Sequence, residues 1–202
     1  MKLHFALLLL VVLAFAWSAI GPHDYFTWFL EVAPVIIGAM ILIPTYRRFT
    51  LTDLLYALLA IHAVILIVGG HYTYAEVPLG HWVKELLGLE RNHYDRLGHF
   101  AQGFVPAILA REMLLRREVV RGRGWLFAVV VSICLAFSAL YELVEWSVAA
   151  MTGTAAEAFL GTQGDVWDTQ KDIALALVGA VIAQLTLGRL HDRQLQRRVE
   201  RP

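Results

Sequence analysis

The sequence predicts an all-α fold, a polytopic transmembrane helix bundle of about six helices with both termini cytoplasmic. Three observations predict it. Hydrophobic residues make up 58% of the 202 residues and charged residues only 17%, a balance too apolar for an ordinary soluble domain. Six apolar runs approach the roughly 20 residues needed to cross a bilayer. The basic residues gather at alternate ends of those runs.

The six runs cover residues 4–20, 28–46, 51–69, 97–115, 124–149 and 172–189. Together they make residues 1–202 one integral membrane domain. The first run also resembles a signal peptide, with Lys2, an apolar stretch and small residues at Ala14 and Ala16. We expect an uncleaved helix instead.

The basic residues set the orientation. Lys2, Arg47, Arg48, Arg111, Arg116, Arg117, Arg121, Arg123, Arg189, Arg193, Arg197, Arg198 and Arg201 fall in the segments expected on the cytoplasmic side. Only Lys84, Arg91, Arg96 and Lys171 fall on the other. That bias repeats across every loop, as the positive-inside rule demands. The exoplasmic segments are then 21–27, 70–96 and 150–171. The two long ones carry Gly, His, Tyr, Trp and acids, so ordered structure is expected there. Trp82, Trp146 and Trp167 suit the membrane interface. The Arg-rich tail after Arg189 suits a solvated face near anionic lipid.

Lys plus Arg and Asp plus Glu both number 17, so no net positive field invites nucleic acid. The single cysteine, Cys134, lies in an apolar run and has no intrachain partner. P-loop, GxSxG, CxxC and HExxH motifs are absent.

Three polar groups interrupt the apolar pattern. Asp95 and His99 stand four apart at the start of the fourth run and share a helix face. Glu142 and Glu145 stand three apart toward the outer end of the fifth. Asp165, Asp168 and Asp172 lead into the sixth at spacings that make one stripe if the segment is helical. The topology carries all three groups to one exoplasmic depth. Acids at helix ends in lipid are costly unless paired, hydrated or metal-bound. A divalent cation would relieve the repulsion among so many carboxylates. One histidine with several carboxylates suits Zn, Mn or Fe, and a mostly carboxylate set suits Mg or Mn.

The expected roles follow. Asp95, His99, Glu142 and Glu145 are the candidate catalytic groups, as ligands or as general acid and base. Asp165, Asp168 and Asp172 join them as candidate metal ligands. His71, Tyr74, Glu76, His93 and Arg96 are candidate substrate contacts at the same end. The bland alternative is that acids near Arg96 and Lys171 form interfacial salt bridges that only fix helix packing. His62 is expected to pack within the third helix, and Glu112 to pair with Arg111 and Arg116. His4, His23, His81 and His191 fit no pattern.

The segments Gly69 to Pro78, Asn92 to Phe104, Ser138 to Trp146 and Phe159 to Asp172 resemble the bacterial YjdF-type inner-membrane family over most of the chain. That resemblance implies an inner-membrane location and no particular reaction. A looser similarity is to VanZ-like membrane proteins, whose pattern runs Asp-Lys-x-x-His, Glu-x-x-Gln and a later helical Asp. The corresponding residues are Asp95 to His99, Glu142 to Glu145, and Asp168 to Asp172, with Arg96 in place of Lys and Glu145 in place of Gln.

The expectation is a membrane-embedded, metal-dependent hydrolase or transferase whose substrate is a membrane lipid or lipid-linked molecule. The rivals are an ion-coupled transporter and a non-catalytic accessory protein. The sequence does not fix the oligomeric state.

Overall fold

The computed structural model describes residues 2–152 and 157–199. In chain order the helices are α1 (Lys2–Ser18), α2 (Tyr25–Thr45), α3 (Asp53–Tyr72), α4 (Pro78–Leu87), α5 (Tyr94–Arg116), α6 (Arg123–Thr152), α7 (Glu157–Leu160) and α8 (Asp168–Val199), with a 3₁₀ turn at Tyr74–Glu76 before α4. Among the described residues there are no strands. The six predicted runs all lie on helices, and the segments 70–96 and 150–171 carry the short helices α4 and α7. Of segment 150–171, residues 153–156 lie outside the described residues, as does Arg201 of the basic tail.

Local chemistry explains the boundaries. The Asp24 carboxylate caps α2 by accepting from the Thr27 amide at 2.7 Å. Thr52 caps α3 in the same way through Leu55. Pro78 opens α4, and Gly88 closes it with φ 63°, a left-handed conformation that glycine adopts without strain. Trp82, Trp146 and Trp167 are all well exposed, as interfacial rings would be.

Length and composition let four helices cross a membrane: α2, α3, α6 and α8. The expectation of about six spans is therefore met only in part. α1 is apolar but has only 17 residues. α5 has 23 residues but buries Asp95, His99, Gln102, Arg111 and Glu112. Its position explains the composition. α5 packs against α3, α6 and α8, so protein rather than lipid surrounds it.

The tightest interface joins α5 to α8, which run parallel. A Cβ on Gly103 would lie 1.8 Å from the Ala176 carbonyl oxygen, and one on Gly179 would lie 2.2 Å from that of Phe100. Lipid tails give apolar helices no hydrophobic reason to associate, so close approach through small residues supplies the contact. His99 and Asp172 each sit one helical turn from this contact, toward the starts of their helices.

At the opposite, arginine-rich end a bonded network ties the bundle. Glu112, fully buried, accepts from the Thr52 hydroxyl at 2.8 Å, His191 Nε2 at 3.0 Å and Arg116 at 3.0 Å. Arg111 donates to His191 Nδ1 at 2.9 Å and to Asp192 at 2.7 Å. The expected Glu112–Arg116 pair forms, whereas Arg111 turns to α8 instead of Glu112. His191, which fits no sequence pattern, is completely buried at the centre of this lock.

Substituting Gly103→Ala should lower stability by about 1–3 kcal/mol, because its Cβ meets backbone that cannot rotate away. Gly38→Ala, with open space around it, should be neutral or slightly stabilising. Thermal unfolding in detergent checks both, and equal midpoints for the two variants would contradict the packing account.

Candidate functional site

Four helices bring chemistry to the end of the bundle where α5 and α8 begin. Asp95 and His99 lie one turn apart on α5, and Asp168 and Asp172 one turn apart on α8. Glu142 and Glu145 lie on α6, and Glu31 on α2. At 1.5 Å per residue, Glu142 lies about 15 Å along α6 from that helix's end at Thr152. Glu31, Asp95, His99, Glu142, Glu145, Asp168 and Asp172 are all buried.

His99 is the hub. Its Nδ1 stands 3.1 Å from Gln102 Oε1 and 3.6 Å from Glu142 Oε1. Its Nε2 stands 3.4 Å from Asp95 Oδ1. Two overlapping sets of groups place one ligand atom each within 4.8 Å of one another: Asp95, His99 and Asp172, and His99, Glu142 and Glu145. If Nδ1–H donates to Gln102, the Nε2 lone pair faces Asp95, the arrangement by which outer partners orient a metal-binding histidine. Glu142 Oε1 and Asp172 Oδ1 are buried and have no hydrogen-bond partner among the described residues. Buried acceptors are nearly always satisfied, so two orphaned carboxylate oxygens beside one histidine call for a donor or a cation.

Asp165 and Asp168 behave differently. Arg91 donates to Asp168 at 2.7 Å and to the Gly161 carbonyl at 3.1 Å, and stands 3.4 Å from Asp165. Asp165 also takes Arg96 at 3.0 Å and Lys171 at 2.5 Å. Asp165 lies in the turn before α8, so the expected single stripe of three aspartates does not form. These two acids serve a cationic clasp that ties the start of α5 to the start of α8. Lys171, hydrogen-bonded to it, holds the Asp165 carboxyl below the usual carboxylate range. For Asp165 and Asp168 the bland reading from sequence describes the geometry.

The expected substrate contacts separate too. Tyr74 lines the cavity described below, its ring fitted where a Cβ on Gly69 or Gly98 would collide. His71 instead faces the Ser18 carbonyl at 3.0 Å. Glu76 pairs with His81 at 3.1 Å on the surface. Arg96 belongs to the clasp, and His93 occupies the position just before α5.

A cavity of about 40 Å³ lies against the hub, room for a few waters or a small polar group. Glu31, His62, Tyr74, Asp95, His99 and Glu145 contribute to its wall. A second hollow of about 120 Å³ is lined by Glu142, Glu145, Asp168 and Thr169. Glu145 lines both. Sequence reasoning missed Glu31, Arg91 and Tyr141. Glu31 had a signal, since it is the only acid within its apolar run.

All-helical, with four helices long and apolar enough to cross a bilayer, the chain is an integral membrane protein. It belongs to the family described as "Predicted membrane protein (DUF2238)", which matches residues 3–193. It is similar to the inner membrane protein YjdF of Escherichia coli strain K12, at 53% identity over 189 residues, 94% of this chain and 90% of that relative. The resemblance read from the four motifs is thereby borne out. No solved structure matches the chain.

One titration follows from the clasp. Burial, and then the charges of Arg96, Arg91 and Lys171, push the His93 imidazole below its ordinary 6.5. Below pH 6.5 the unfolded chain takes up this proton before the folded one. The His93 contribution to stability is therefore complete above pH 6.5 and declines as pH falls toward the folded value. An NMR titration should place the His93 midpoint below 6.5, and Arg96→Gln should raise it. A midpoint at or above 6.5 would contradict the clasp geometry.

Proposed function

We propose that this protein is a metal-dependent hydrolase or transferase of the inner membrane, acting on a lipid or lipid-linked substrate at the exoplasmic face. The observation that carries the proposal is the pair of orphaned buried carboxylate oxygens, on Glu142 and Asp172, in two triads that share His99. Orientation rests on the positive-inside asymmetry, which puts the arginine-rich end in the cytoplasm and the hub outside. The relative's inner-membrane description supports the membrane assigned.

A divalent ion would be held by Asp95, His99 and Asp172, or by the overlapping set of His99, Glu142 and Glu145. The donor set of one imidazole and several carboxylates fits Zn, Mn or Fe, and fits Mg less well. Such an ion would polarise a phosphoryl or acyl oxygen and lower the pKa of a bound water. Glu145, shared by both hollows, stands where it can accept a proton from an attacking water or hydroxyl. Gln102 orients His99, and the clasp of Arg91 with Asp168 fixes α8 beside it.

Two features favour this reading over its rivals. A transporter needs polar passage to the cytoplasmic side, whereas the lock around Glu112 fills that end with bonded groups. An accessory protein would pair its acids, as Asp165 and Asp168 do, yet Glu142 and Asp172 keep unpartnered oxygens.

Elemental analysis of the purified protein should find about one divalent ion per chain, since the triads share a single histidine. Gln102→Ala should weaken its affinity by about 10–100-fold. His99→Ala and Asp172→Asn should abolish binding while the helical content stays unchanged. Equal metal content in wild type and His99→Ala, or none in either, would sink the proposal.

A further inference from the structure

Glu31 poses a problem that the hub does not solve. It sits on α2 at 2% exposure, and among the described residues no basic side chain forms an ion pair with it. An isolated ionised carboxylate is expensive inside a bilayer, so Glu31 is either neutral or receives a cation. The cavity beside it gives a cation room.

That cavity has a chemical character of its own. The rings of Tyr74, Tyr141 and Phe137 line it, together with Glu31, Glu145 and His62. Aromatic faces combined with carboxylates are the chemistry that recognises organic ammonium groups. Two further polar atoms are buried there without a partner among the described residues, His62 Nε2 and the Tyr141 hydroxyl. Both are available to a polar ligand, and neither belongs to the triads around His99.

The cavity also has a side. α2 packs on α3, and α6 packs on α5 and α8. α2 and α6 flank the cavity without a packed interface of their own, and α7 bridges them at the end of the bundle. Pro34 from α2 and Phe137 from α6 line the gap, and Phe137 is 49% exposed on the outer surface. On helices that cross the bilayer, such a gap opens on lipid rather than on water.

We infer that the cavity between α2 and α6 is a headgroup site for an amine-bearing lipid, whose ammonium lies against Glu31 among the tyrosines and whose chains leave between the two helices. The inference rests on the reading above in that the bound lipid would be the substrate presented to the hub. Glu31 here is a binding residue and takes no part in holding the metal.

Native mass spectrometry of the purified full chain tests it, with equimolar short-chain phosphatidylethanolamine and phosphatidylglycerol. The aminolipid should be retained at least about tenfold over the anionic lipid, the effect of one buried charge-assisted contact. Glu31→Gln should reduce that preference to about one. N-acetylated phosphatidylethanolamine, with the same chains and no positive charge, should fail to bind the unaltered protein, which tests the ligand side without relying on a variant. Equal retention of the two lipids, binding of the acetylated lipid, or displacement by free ethanolamine at equal concentration would each overturn the inference. Metal content measured on the same samples separates the two readings. Aminolipid preference without metal leaves this inference standing and removes the hub, and metal without lipid preference does the reverse.

Discussion

The backbone contact between α5 and α8 organises this protein. Gly103 meets the Ala176 carbonyl, and Gly179 meets that of Phe100, with no room for a Cβ at either point. Helices in lipid approach this closely only through small side chains. Once they do, the turns before the contact must face each other, and those turns hold Asp95 and His99 on one helix and Asp168 and Asp172 on the other. The hub is thus a consequence of packing one helical turn away from His99 and Asp172. The same contact makes α5 an interior helix, which is why it tolerates so many buried polar side chains.

The two ends of the α5–α8 pair use buried polarity in opposite ways. At the arginine-rich end Glu112 has donors from Thr52, Arg116 and His191, and Arg111 completes the set. A fully satisfied network of this kind fixes register and leaves nothing over for a ligand. At the other end the Arg91 clasp satisfies Asp168 and, with Arg96 and Lys171, Asp165. Inside the clasp Glu142 and Asp172 are left with bare oxygens. The contrast separates structural acids from candidate functional ones within a single chain.

Hydropathy and charge located the long helices, because lipid imposes a length and an apolar content that sequence displays directly. The run 97–115 was located in the same way, but α5 is not among the four helices apolar enough to cross a membrane, because it packs against protein, a fact carried by tertiary packing alone. The motifs of Asp95 with His99 and Glu142 with Glu145 were legible from helical spacing, and the structure does bring them together. For Asp165 the sequence left two readings, a metal ligand or a salt-bridge partner, since the choice depends on whether the chain there turns or coils, and Arg91, Arg96 and Lys171 capture it. His191 was invisible for a related reason. Its partners, Glu112 and Arg111, lie about 80 residues away in sequence and meet it only after α5 and α8 pair. Glu31 could have been found from a single rule, that an acid alone in an apolar span needs an explanation.

The central claim is that the glycine contact sets one imidazole and carboxylates from two or three helices around a single ion. Pulsed electron paramagnetic resonance of the Mn(II)-loaded protein addresses it directly. The account predicts nitrogen coupling from one histidine, absent in His99→Ala. Mn(II) that binds without any imidazole coupling, or with coupling that persists in His99→Ala, would contradict it.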